Sequence, residues 1–359
     1  MNETFKGLKV IELATVLAGP TVGMFFAELG AEVIKVENPR RGGDITRKWK
    51  LGSEDVEKNY SAYFCSVNWG KQHIFVDLKT EKGQNQVHDL MKDADIALTN
   101  FRSGDDLKLR MDSVSLHAIN PNLIIGKITG YGDEISRPAF DVVLQAEAGY
   151  MFMNGQRGSD PSKMPVAMID VLAAHQLKEA LLIALLKKER HGLGGVVSVS
   201  LFDAAISALT NQASNWLMAG HTPQQMGSLH PNIAPYGEIL VCADGSRIVL
   251  AIGSAGQFAG LCSVLDLPEL VSDQRFESEQ ARVQNRKKLS ELLSAKASKR
   301  NGQDLLTQFI IEGVPAGEIR NMEQVFEQEA AKRMIKEEVL SDGTISKRVS
   351  DIAFKIWDT

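Results

Sequence analysis

Apolar residues in the first two hundred positions fall into short runs of strand length, set apart by longer stretches with helical spacing. Residues 8–13 (Leu-Lys-Val-Ile-Glu-Leu) predict a strand, residues 20–29 a helix opened by Pro20 and closed by Gly30, and residues 32–37 (Glu-Val-Ile-Lys-Val-Glu) a second strand. Proline suits the first turn of a helix, and glycine suits its left-handed end. This strand–helix–strand order predicts a parallel sheet. The pattern recurs with a strand over 73–78, a polar-faced helix over 81–93, and short buried strands over 95–99 and 123–128. A long helix is expected over 171–190 from Val171, Leu172, Leu177, Leu181, Leu182, Leu185 and Leu186; the glycine-rich stretch 191–195 stops it, and a strand follows over 196–201. Residues 1–205 therefore read as an open α/β domain.

The middle of the chain has a different pattern. Residues 237–251 predict a hairpin turning at Ala243-Asp-Gly245, and charged helices are expected near 256–266, 280–297 and 301–311. The expected organisation is a large domain over 1–205, a linker over 206–224, a smaller α+β domain over 225–318, and a return of 319–359 to the large domain.

Composition narrows the function classes. Of 359 residues, 44% are hydrophobic and 24% charged, enough apolar content for two domain cores. The net charge of -5 argues against nucleic acid and membrane surfaces as partners. An anionic ligand would need a locally basic pocket. Cys65, Cys242 and Cys262 are too few and too scattered for a disulfide framework or a metal site, and they fit a reducing cytoplasm. The N-terminal residues carry no apolar leader, and no run approaches a membrane span.

The first strand–helix turn invites a test as a dinucleotide site. Such a site wants G-x-G-x-x-G, so that backbone approaches a pyrophosphate. The turn here is Ala14-Thr-Val-Leu-Ala-Gly19-Pro20, without those glycines, and Glu37 at the end of the second strand is left as a lone mimic of the ribose-binding acid. The seven histidines are dispersed, and no G-x-S-x-G elbow occurs. Asp170 stands out, directly before the long apolar helix. Two readings are open. Aspartate is a favoured N-cap, accepting bonds from first-turn N–H groups. A helix N-terminus also keeps a carboxylate charged, as a nucleophile must be.

Several blocks together resemble one family. They include Gly7-Leu-Lys-Val-Ile-Glu-Leu, Val16-Leu-Ala-Gly-Pro20, Glu28-Leu-Gly-Ala-Glu-Val-Ile-Lys-Val-Glu37, Gly43-Asp44 with Thr46-Arg47, Asn68-Trp-Gly-Lys71, Thr99-Asn-Phe-Arg-Ser-Gly104 and Arg137-Pro-Ala-Phe-Asp141. In the second half they include His230-Pro-Asn-Ile-Ala-Pro-Tyr236, Asp273-Gln-Arg-Phe276, Ala281-Arg-Val-Gln-Asn-Arg286 and Gly313-Val-Pro-Ala-Gly317. In this order they resemble the class III CoA-transferases, the CaiB–BaiF family that includes formyl-CoA transferase.

The resemblance implies a Rossmann-like large domain built from both chain ends, a smaller α+β domain, and a homodimer of two interlocked rings. It implies coenzyme A and acyl-CoA as substrates, no permanently bound cofactor and no metal. Asp170 falls at the position of the family's nucleophile, which passes through an aspartyl anhydride and an aspartyl-CoA thioester. Val16, Leu17, Asn100, Phe101 and Lys108 fall where the family contacts CoA, and Arg137 is a further candidate cation for it. Gly253, Gly256 and Gln257 lie in a loop that covers the active site in the family. Asn38 departs from the family's common arginine, with Arg40 and Arg41 nearby. Leu17 replaces a glutamine of formyl-CoA transferase, which points away from formate and oxalate; short or dicarboxylic acids such as succinate are expected because they are common in the family. His175, Lys163, Arg157 and Gln145 are candidates for the acceptor's surroundings.

Two rival functions share these residues. An α-methylacyl-CoA racemase uses the same aspartate with a histidine as second proton-transfer group. That position is Phe140 here, and His117 and His175 are the nearest histidines in sequence. A non-catalytic acyl-CoA-binding protein is the second rival.

Overall fold

Strands β1 (Lys9–Glu12), β2 (Glu32–Glu37), β3 (Gln72–Phe75), β4 (Ile96–Thr99), β5 (Ile124–Thr129) and β6 (Gly195–Ser200) form one parallel sheet in the order β3-β2-β1-β4-β5-β6. The computed structural model describes residues 3–357; Met1, Asn2, Asp358 and Thr359, the outer ends of the segments 1–205 and 319–359, lie outside the described residues. The strands are linked through α1 (Ala18–Glu28), α2 (Ala62–Cys65), α3 (Glu81–Met91), α4 (Asp105–Lys108), α5 (Ser113–Ile119), α6 (Asp141–Glu147), α7 (Tyr150–Met153) and α8 (Met168–His191). Beyond β6, α9 (Leu201–Ser207) and α10 (Thr210–Ala219) follow, the latter within the stretch read as a linker. The chain divides into two compact units, Met1–Tyr150 with Lys163–Thr222 and Lys332–Thr359, and Met151–Ser162 with Pro223–Ala331.

Alternate side chains of each strand serve opposite faces of the sheet. Val10, Val33, Leu98 and Ile124 pack with Phe25 and Phe26 of α1 and Leu177 and Leu181 of α8. Ile11, Ile34, Ala97 and Ile125 pack on the other face with Val87 and Met91 of α3 and Leu116 of α5. Burial on both faces explains why the strands read as nearly continuous apolar runs. Gly30 ends α1 region as expected, at φ 95°. The long helix differs from expectation in one respect. It begins at Met168, so Asp170 lies inside its first turn; Ala167 is the N-cap and makes no side-chain cap bond.

In the second unit, β7 (Tyr236–Val241), β8 (Arg247–Ala251) and β9 (Ala316–Glu318) pair antiparallel. They pack with α11 (Ala255–Val264), α13 (Arg286–Ala297) and α14 (Gly302–Ile311); α12 (Glu279–Gln284) leads into α13, and α15 (Met322–Glu327) and α16 (Glu329–Lys332) follow β9. The helix expected over 280–297 is two helices, broken at Asn285, which leaves helical geometry at ψ 21°. The break turns two arginines toward the segment 230–235. The buried Arg282 donates to the Ala234 carbonyl at 2.8 Å and the Phe276 carbonyl at 3.0 Å, and Arg286 donates to the His230 carbonyl at 2.6 Å. Three motif blocks are thus one clamp.

The chain then re-enters the first unit as the hairpin β10 (Ile335–Val339) and β11 (Ile345–Val349). Polar contacts hold it there: Lys58 pairs with Asp342 at 2.6 Å, Arg348 with Glu28 at 2.6 Å, and Lys178 with Asp351 at 2.5 Å.

Candidate active site

The sheet order reverses between β1 and β4, and in open α/β sheets ligands bind in the crevice at the carboxyl ends of such strands. The turn leaving β1 carries Val16 and Leu17; the turn leaving β4 carries Asn100 and Phe101. Asn100 ties the two turns together, accepting from the Thr15 N–H at 3.0 Å and donating to the Thr15 carbonyl at 2.8 Å. Val16 sits at φ 75°, a region that a β-branched residue avoids unless its surroundings impose it. Here Asp44 imposes it, accepting from the Val16 N–H at 3.2 Å.

Beneath this turn lies a buried network of charge. Lys35 donates to Glu12 at 2.8 Å and to the Ala14 carbonyl at 2.8 Å, and lies 3.1 Å from Asp44. Lys71 donates to Glu12 at 2.8 Å, to the Pro20 carbonyl at 2.8 Å and to Asn68 at 3.1 Å. Glu37 takes both Arg47 nitrogens, at 2.7 and 2.6 Å, with His73 at 2.8 Å and the Asp44 N–H at 2.7 Å. Burial opposes charge throughout. Even so, Glu12 and Asp44 together hold the Lys35 ammonium above its usual range, and Arg47 and His73 hold the Glu37 carboxylate well below its own. Lys71 is pushed down to about 8, chiefly by burial and also by the neighbouring Lys35 ammonium, against the opposing pull of Glu12 and Asp44. Glu37, read above as a mimic of a ribose-binding acid, is therefore fully engaged within the protein. The Thr46-Arg47 and Asn68–Lys71 blocks supply this network.

Asp170 is half-buried in the first turn of α8. It does not cap the helix. Asp141 of α6 does so from outside, accepting from the Ile169 N–H at 2.7 Å and, less closely, the Asp170 N–H at 3.4 Å. The charge expected from the helix end meets an opposing environment. Burial, with Asp141 as a like-charged neighbour, pushes its carboxyl up to about 7. Behind Asp141, the buried Gln145 donates to it at 2.5 Å and accepts from the Met164 N–H at 2.8 Å. Tyr63 of α2 belongs to the same cluster. Burial first, then the Asp170, Asp141 and Asp44 carboxylates, push its phenol up to about 12, and its ring packs edge-on to Trp49.

A cleft of about 180 Å³ opens beside the β4 and β5 ends, lined by Asn100, Phe101, Arg137, Phe140, Thr129 and Leu201 among others. Arg137 stacks on Tyr131 at 4.7 Å and pairs with Glu147. Lys108 is exposed and pairs with Asp105 in its own helix at 2.9 Å. In the second unit, Gln257 accepts from the Gly253 N–H at 2.8 Å, and the Ser254 hydroxyl caps α11. The Gly253 N–H is therefore already committed. Lys163 is exposed and bonds the Met164 carbonyl at 3.2 Å; His175 and Arg157 are exposed. Among the described residues, no group of three or more His, Cys, Asp or Glu is placed to hold a metal ion, and no helix is long and apolar enough to cross a membrane.

The sequence reading missed Asp141 and Tyr63 as members of the site. Asp141 closes the Arg137–Asp141 block, which does not assign a contact, and Tyr63 lies in none of the blocks. The Asn100 bridge yields a direct expectation. Asn100→Asp keeps the acceptor for Thr15 and loses the donor, so it should destabilise the protein by about 1 kcal/mol in urea unfolding, as the half-buried Thr15 carbonyl loses its partner. Equal midpoints for the variant and the wild type would show that the bridge does not hold the turns.

Known proteins agree with this architecture. A family model described as CoA-transferase family III matches residues 5–354. A succinate–glutarate CoA-transferase of Agrobacterium fabrum (strain C58) is 37% identical over 347 residues, covering 94% of this chain and 86% of that protein. The human succinyl-CoA:glutarate CoA-transferase is 34% identical over 324 residues, covering 89% of this chain and 73% of that protein. The crystal structure of a CAIB/BAIF family protein from Brucella suis is similar with a TM-score of 0.87 at 38% identity, covering 99% of this chain and 93% of that one. With motif order, sheet order and a match over nearly the whole length in agreement, the chain belongs to CoA-transferase family III.

Proposed function

We propose that this enzyme moves coenzyme A from an acyl-CoA donor to a short dicarboxylic acid, with Asp170 as nucleophile. The observation that carries this reading is the place of Asp170, half-buried in the first turn of α8 beside Asp141, in a chain of this family; burial and that neighbour raise its carboxyl to about 7. Such a group is partly ionised at neutral pH, and its carboxylate is more basic, hence more nucleophilic, than an ordinary one. Dicarboxylic acids enter the reading through the glutarate transferases to which the chain is similar.

The ionised Asp170 oxygen attacks the thioester carbonyl carbon. A C–O bond forms, the C–S bond breaks, and CoA leaves as thiolate, leaving a mixed anhydride. The thiolate attacks the aspartyl carbonyl, expelling the donor acid as carboxylate and leaving an aspartyl-CoA thioester. The acceptor carboxylate then attacks that carbonyl and frees the thiolate again. The thiolate takes the acceptor's acyl carbon from the second anhydride, and Asp170 leaves as carboxylate. Acyl groups pass between carriers of similar reactivity.

CoA is assigned to the crevice and cleft shaped by Val16, Leu17, Asn100, Phe101 and Arg137; Lys108 is assigned to its phosphates as a cation. The covering role for Gly253, Gly256 and Gln257 stays part of this proposal. So does the interlocked homodimer, built on a large domain over 1–205 and 319–359 and a small one over 225–318. It is supported by Ile183 and Leu186 of α8 and Trp216, Leu217 and Met218 of α10, apolar side chains that the single chain leaves exposed. Light scattering should return twice the chain mass, unchanged on dilution; a monomer would remove the interlocked reading. A cytoplasmic site fits the three free cysteines.

The reaction is tested by incubating the protein with succinyl-CoA and a panel of dicarboxylic acids in heavy water, then separating CoA esters by mass. New acyl-CoA esters are expected. Deuterium at Cα of a branched acyl-CoA without exchange of acids would instead indicate racemase chemistry, and CoA binding without either product a binding protein.

A further inference from the structure

We propose that Gln145 is a positioning residue of the transfer reaction, its buried carboxamide locking the approach to α8 and the Asp141 carboxylate into one arrangement behind Asp170. The inference rests on Asp170 being the nucleophile.

The geometry is a two-point grip by one helix. Asp141 and Gln145 are four residues apart, so they share a face of α6. Gln145 holds the start of the segment entering α8 through the Met164 N–H at 2.8 Å, and Asp141 holds its end through the Ile169 N–H at 2.7 Å. The Gln145 amide joins the two grips, donating to Asp141 at 2.5 Å. Gln145 is fully buried, so no water replaces it. Of the amino acids with this reach, only glutamine accepts at one end and donates at the other without charge at every pH. A hydrophobic residue fills the space and makes neither bond.

The grip acts on chemistry because of what faces Asp170. Asp141 comes from α6 and the Tyr63 phenol from α2. Charged groups on the other elements packed against α8 are engaged or remote: Glu28 of α1 pairs with Arg348, Lys127 of β5 pairs with Asp133, and Asp203 of α9 is exposed. The like-charge push on Asp170 therefore comes from Asp141, and Gln145 fixes where Asp141 stands. Releasing Asp141 lets its carboxylate move away from Asp170 and weakens the push.

The test uses the full-length protein and succinyl-CoA with a dicarboxylic acceptor it turns over. Gln145→Met keeps the side-chain length and removes both bonds. Its kcat should fall about 10- to 100-fold, with the KM for donor changed less than about threefold, and the acid limb of kcat/KM near pH 7 should move to lower pH. Gln145→Glu, which also serves if the methionine variant does not fold, keeps both contacts while its carboxyl is protonated and loses the donor on ionising. Its rate relative to wild type should fall as pH rises. In parallel, hydroxylamine trapping of the wild-type acyl-enzyme, with the label located by mass, tests the nucleophile separately. Label at Asp170, with wild-type kcat and acid limb in the methionine variant, or a flat rate ratio in the glutamate variant, overturns the role of Gln145 alone. Label elsewhere overturns the nucleophile and this inference together.

Discussion

Asp170→Asn should abolish transfer, by about 10⁴-fold or more in kcat, while CoA binding persists. The asparagine keeps the shape and cannot form the anhydride. The same variant should be more stable than the wild type at alkaline pH. The folded Asp170 titrates near 7, the unfolded one near 4. A carboxyl raised on folding binds more protons in the native state. Its contribution to stability is therefore present below the unfolded pKa and lost as pH rises from about 4 to about 7. Asparagine carries no such loss. The variant should gain about 2–3 kcal/mol over the wild type at pH 8, a figure reduced from the full shift because solvent reaches Asp170, and nothing at pH 4. Paired urea titrations at the two pH values decide it. An equal or lower stability at pH 8 would mean that Asp170 is not held under electrostatic strain, and retained turnover would remove it as nucleophile.

Glu12→Gln is the second large effect, and it concerns the foundation of the site. Glu12, Lys35 and Lys71 have side chains wholly shielded from solvent. Removing one member of a buried charge pair leaves its partners desolvated and uncompensated, at a cost of about 3–5 kcal/mol. Glutamine preserves shape, so the loss reports charge rather than packing. Lys35 and Lys71 also hold the Ala14 and Pro20 carbonyls, which flank Val16 and Leu17. CoA affinity should therefore fall along with stability. Chemical denaturation and isothermal titration with CoA measure the two separately. A loss below about 1 kcal/mol would indicate that water enters and solvates the lysines.

The activity and the stability of the site are thus set by neighbouring clusters. The Asp44 carboxylate belongs to the network under Val16 and also acts on Tyr63, which faces Asp170.

Much of this protein is legible along the chain. The strands expected over 32–37, 95–99 and 123–128 and the helices expected over 81–93 and 171–190 are present within a few residues, because apolar side chains of each are buried in a core of neighbouring elements; the start of the long helix at Met168, three residues before its apolar pattern, is not legible. The motif order alone points to the family, and with it to Asp170. Tertiary structure alone decides the rest. The short helices at 105–119 and 141–153 carry too few turns to show a period, and the break at Asn285 interrupts an unbroken helical pattern because Arg282 and Arg286 must reach carbonyls about fifty residues away. Asp170 has the sequence signature of a helix cap, yet Asp141, twenty-nine positions earlier, caps that helix. The proton affinity of Asp170 then depends on burial and on a carboxylate brought in by another helix, and distances of that kind are set by packing, which no local spacing encodes.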